Sequence, residues 1–93
     1  MVSPIKLAHI ALKTKDIEAS SDWYKKVLNA EVVFENEMLC FLTYDDEHHR
    51  VVLAQDDDYE PGGPSAGLHH VSFTYARLDD LFDTFERLQA LGI

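Results

Sequence analysis

The chain has 93 residues, enough for one small domain or for part of a larger one. Its 17 acidic and 8 basic residues leave a formal charge of −9, which repels phosphate backbones and argues against a nucleic-acid partner. No basic amphipathic stretch suggests a membrane surface, no apolar run approaches a membrane span and the N-terminus lacks a secretory pattern, so a soluble, cytoplasmic protein is the expectation.

In chain order, Lys6–Lys13 alternates weakly and reads as a strand. Asp16 then offers an N-cap, Glu18 suits the first turn, and apolar residues at helical spacing predict an amphipathic helix over Ile17–Leu28, with Trp23 and Tyr24 packed on a sheet. Asn29 suits a left-handed helix end. Three strand-like runs follow, Glu31–Glu35, Met38–Tyr44 and Arg50–Gln55, joined by short turns that favour antiparallel neighbours. The single cysteine, Cys40 in "MLCFL", rules out an intrachain disulfide and reads as a buried, inert thiol.

Asp56–Gly67 is an acidic Gly/Pro linker, which divides the chain into a first module (1–55), the linker (56–67) and a second, partial module (68–93). The second begins with a strand-like His70–Tyr75. A helical stripe of Leu78, Leu81, Phe82, Phe85, Leu88 and Leu91 follows, read as core, with Gly92 suited to the C-terminal cap.

This last part restarts the first. Slid by 61 positions, His9 falls on His70, Ile10 on Val71, Ile17 on Leu78 and Tyr24 on Phe85. The fold class that follows is α+β: a βαβββ module and a partial βα repeat, forming a curved mixed sheet with helices on its convex face. Strand parity then separates neighbouring histidines. Ala8, Ile10 and Leu12 share the face toward the helix, and His9, Ala11 and Lys13 take the other. In the repeat, His69 falls on the helix side and His70 on the opposite side with Ser72 and Thr74, small neighbours that leave room for a ligand.

Other polar runs read as ordinary. "DDEHHR" (Asp45–Arg50) is a solvated turn between two strands. "DDDYE" lacks the ligand spacing of a calcium loop, and "PGGPSAG" lacks the ending of a phosphate-binding loop.

Two segments, "HIALKTKDIEASSDWYKKVLNAEV" and "GLHHVSFTYARLDDLFDTFERLQALGI", resemble the vicinal oxygen chelate superfamily of glyoxalases, bleomycin-resistance proteins and extradiol dioxygenases, and the latter segment is most similar to the dioxygenase branch. The resemblance covers nearly the whole chain outside the acidic loop. It implies paired βαβββ modules cupped around a divalent metal, Fe(II) in the dioxygenase-like members. His9 and His70 match the metal-ligand positions at the first strand of each module, and within such a cup His49, at the start of a strand, is expected to line the mouth as a substrate-binding residue. A glutamate on the last strand of the second module completes such a site, and no counterpart of that strand is present in this sequence. The resemblance thus implies a dioxygenase-like or glyoxalase-like metalloenzyme when the third ligand is supplied, acting on a small, catecholic substrate. A metal-free, bleomycin-resistance-like binding module and an inactive remnant are the alternatives. A homodimer is the expected partner arrangement, since a half-cup leaves open edges and apolar surface.

Overall fold

The computed structural model describes residues 1–60, 62 and 67–93. The chain divides into two compact units, Met1–Tyr59 and Glu60–Ile93.

The first unit runs β1 (Ile10–Thr14), α1 (Ile17–Leu28), β2 (Glu31–Glu35), β3 (Leu39–Thr43) and β4 (Val51–Gln55). The strands form one curved open sheet in the order β1-β4-β3-β2. β2 with β3 and β3 with β4 are antiparallel, whereas β1 joins β4 in parallel, which makes the sheet mixed. Asn36 closes the β2–β3 connection: its side-chain Oδ1 accepts from the N–H groups of Met38 and Leu39, and its own N–H reaches the Leu39 carbonyl.

Helix α1 keeps its predicted limits because both ends are set locally. Asp16 accepts from the Ala19 N–H at 3.0 Å, and Asn29 adopts φ 50°, ψ 45°, a left-handed conformation that asparagine tolerates. The helix covers one face of the sheet. Leu42, Leu53, Val51 and Cys40 form the buried centre, packed by Ile10, Leu12, Ile17, Tyr24, Leu28 and Val32. Ser21, buried in the helix, places its hydroxyl 3.4 Å from the Cys40 sulfur. Trp23 does not join this core as expected. It is 47% exposed and sits edge-on to Tyr24, because the α1 face toward the sheet is filled by Ile17, Tyr24 and Leu28.

The second unit holds α2 (Leu78–Ala90). Its end is a Schellman motif: Ile93 N–H bonds the Leu88 carbonyl, Gly92 N–H bonds the Gln89 carbonyl, and Gly92 takes φ 79°, where a side chain would be strained. Two expectations fail in this unit. His70–Tyr75 forms no strand: a strand exists only through its ladder, and no sheet ladder among the described residues includes this segment. The apolar stripe of α2 is not core either: Leu78 is 66% and Phe85 64% exposed, with no residue of the helix buried. A helix stripe is buried only against a layer, and the described part of this unit contains no sheet. Part of the expected linker, residues 61 and 63–66, lies outside the described residues.

Candidate functional site

Parallel pairing places Ile10 beside Val51, so the residues just ahead of β1 and β4 arrive side by side. His9 stands immediately before β1, not within it as predicted, because the ladder starts at Ile10. His49 stands two residues before β4. Their rings meet with centroids 4.3 Å apart at 51°. Phe41 of β3 lies 4.7 Å from His49 at 33°, and Phe34 of β2 lies 5.3 Å from Phe41. Alternation explains this placement: Cys40 and Leu42 face α1, which turns Phe41 between them to the other side. Ala11, between the core-facing Ile10 and Leu12, turns the same way, as the parity of this strand predicted. A row of rings, His9, His49, Phe41 and Phe34, therefore crosses the unit away from the helix.

His48 adds an exposed imidazole, its Nδ1 2.9 Å from the Nδ1 of His49. A hydrogen bond of this kind requires one ring to present N–H and the other its lone pair. Partial burial, then the nearby His9 and His48, hold His49 below its ordinary value of 6.5, with Glu47 opposing. The shift favours the neutral ring, the form able to accept a proton or a hydrogen bond.

His70 belongs to the second unit and is exposed. It shares an Nδ1–Nδ1 contact of 2.7 Å with His69. Here the parity reading is corrected: without a strand, His69 is not sent to a packed face, and it lies exposed against His70.

Neutral imidazoles are good ligands for divalent first-row metals, and His9 and His70 are the right donor type. Two donors are a partial set. No cluster of three or more His, Cys, Asp or Glu able to hold a metal occurs among the described residues. Two features of the site escaped sequence reasoning. Phe41, not singled out in the sequence, was recoverable from its alternation with Cys40 and Leu42. The contacts of Arg50 with the segment ahead of β1 were not, because they depend on the parallel pairing of strands distant in sequence.

Residues 6–93 match the model of the Glyoxalase/Bleomycin resistance protein/Dioxygenase superfamily. The chain is 46% identical over 95 aligned positions to biphenyl-2,3-diol 1,2-dioxygenase 2 of Rhodococcus globerulus, a match covering 100% of this chain and 50% of that protein. It is 43% identical to biphenyl-2,3-diol 1,2-dioxygenase 3 of the same organism, over 95% of this chain and 48% of that one. The chain thus spans about half the length of the curated relatives it matches. Among solved structures, lactoylglutathione lyase from Agrobacterium tumefaciens superposes with a TM-score of 0.72 at 19% identity, covering 97% of this chain and 72% of that one. A protein from the mobile metagenome of V. Pseudocholerae gives 0.67 at 22% identity, covering 100% and 71%. At these identities the two structures share the fold.

Proposed function

The chain belongs to the Glyoxalase/Bleomycin resistance protein/Dioxygenase superfamily, and on that premise we propose that it is a dioxygenase-like, metal-dependent protein acting on a small catecholic diol. His9 and His70 hold the ion, Fe(II) in this reading, and a carboxylate from outside these residues, or from a second copy in a homodimer, completes the set. When bound, such an ion supplies open positions at which a vicinal diol and dioxygen meet. His49, against the His9 ring, lines the diol position, where its neutral imidazole accepts a hydrogen bond from a substrate hydroxyl. Phe41 extends an apolar, planar surface beside it, suited to an aromatic ring.

The observation that carries this reading is the 4.3 Å contact of His9 with His49 on the side of the sheet away from α1, in a chain 46% identical to a biphenyl-diol dioxygenase. Anaerobic Fe(II) loading followed by metal analysis of wild type, His9→Ala and His70→Ala tests it. Loss of bound iron in both variants is expected. Equal iron in all three refutes the ligand assignment. Tight binding of a catechol that survives a chelator replaces this reading with that of a metal-free binding module.

A further inference from the structure

Arg50 follows His49 directly, and its side chain is 15% exposed. The guanidinium has two sets of partners. Nε donates to both Asp45 carboxylate oxygens at 3.1 and 3.0 Å, and Nη2 donates to Oδ2 at 2.8 Å. Nη1 donates to the backbone carbonyls of Leu7 and Ala8 at 2.7 and 2.9 Å. Its main chain sets the adjoining register, with the carbonyl accepting from Ile10 N–H and the N–H donating to the Leu42 carbonyl. Leu7 and Ala8 precede the first position of the β1–β4 ladder, Ile10, and among the described residues it is the Arg50 side chain that holds their carbonyls. Lys6 is tied to the same turn through Glu47. The next residue after the gripped pair is His9.

We propose that Arg50 is a positioning residue for His9: anchored on Asp45, it clamps the Leu7 and Ala8 carbonyls and so fixes the direction from which the His9 imidazole meets His49 and a bound metal. This rests on the assignment of His9 as a ligand and adds the group that aims it. The task suits arginine. One edge of its planar fork engages a carboxylate while the remaining nitrogen reaches two carbonyls, whereas a lysine ammonium is a point charge that pairs with Asp45 without bridging to both. Groups that orient a ligand from outside the coordination sphere typically change metal affinity about 10–100-fold when removed.

The test uses the full chain as wild type, Arg50→Lys, Asp45→Asn and His9→Ala, with two readouts: Co(II) titration by visible absorption, and the ring resonances of His9 and His49 in the metal-free protein. In Arg50→Lys, Co(II) affinity is expected to fall about tenfold or more, and the His9 ring resonances to move toward those of an unstacked histidine. Asp45→Asn shifts both in the same direction by less, and serves where an Arg50 variant fails to fold. Wild-type Co(II) affinity with unmoved His9 resonances in Arg50→Lys overturns the proposal. Equal Co(II) binding by wild type and His9→Ala refutes the ligand assignment instead. The metal-free resonances then decide the role of Arg50 alone: displaced signals uphold the clamp and unmoved signals overturn it.

Discussion

The side chain of Gln55, at the end of β4, caps the start of α1: its Oε1 accepts the Ile17 N–H at 2.9 Å. Its amide nitrogen donates to the Lys15 carbonyl and to Asp57 Oδ1. The first N–H groups of a helix have no partner within it, so this glutamine satisfies one that α1 leaves over. Gln55→Ala should lower stability by about 1–3 kcal/mol, the cost of a partly buried donor left unpaired. Gln55→Glu keeps the acceptor, loses the donor and faces Asp57, so it should also destabilise. Urea unfolding of the three proteins decides, and a change in Gln55→Ala within error of zero removes the capping role.

The acid limb of stability should reflect the turn ahead of β4. The hydrogen bonds from Arg50, with its charge, hold the Asp45 carboxyl below the usual carboxylate range, and Lys6 does the same for Glu47. A carboxylate depressed in the folded state contributes stability that is present above its unfolded pKa and lost as pH falls through the folded one. The melting temperature should therefore fall as pH drops below about 4, and less steeply in Asp45→Asn, which has no such proton to gain. Parallel curves for the two proteins between pH 5 and pH 3 would remove Asp45 from that account.

How much of this was legible in the sequence depended on whether the cause was local. Asp16 and Asn29 carry the limits of α1 within their own neighbourhoods, so the helix was readable to the residue. The parity of β1 was readable too, because alternation needs no partner. His70–Tyr75 has the alternating pattern of a strand, but no sheet ladder among the described residues includes it. The meeting of His9 with His49 was equally hidden, since it follows from the parallel register of β1 on β4, which neither segment encodes alone.

His49→Phe separates ring packing from the imidazole nitrogens. The substitution keeps a planar ring between His9 and Phe41 and removes the acceptor assigned to the diol. Under the proposed function, Fe(II) content should stay at the wild-type level while catechol affinity falls about tenfold, the worth of one hydrogen bond. Calorimetric titration of catechol into the iron-loaded proteins measures it. Unchanged affinity would take His49 out of the substrate site.

Cys40 should be silent toward thiol reagents in the folded chain. It is 2% exposed, under α1 and beside Ser21, and attack requires an accessible thiolate. A colorimetric disulfide reagent should react slowly at pH 8 and at once after addition of denaturant. Full reaction within seconds under native conditions would show that α1 opens locally far more readily than its packing implies.

Self-association sets two opposing forces against each other. β1 and β2 are the sheet edges, and α2 exposes Leu78, Leu81, Phe82 and Phe85 along one stripe, an apolar surface that water disfavours. A charge of −9 on each copy resists contact between two copies. Salt screens the repulsion and leaves apolar burial intact, with a Debye length falling from about 30 Å at 0.01 M to about 10 Å at 0.1 M. Sedimentation should therefore show a homodimer at micromolar concentration whose fraction rises with added NaCl. Phe85→Glu, which adds a charge to the stripe, should shift the chain toward monomer. A wild type that stays monomeric at every salt concentration excludes the dimer, and with it a partner chain as the source of the third ligand.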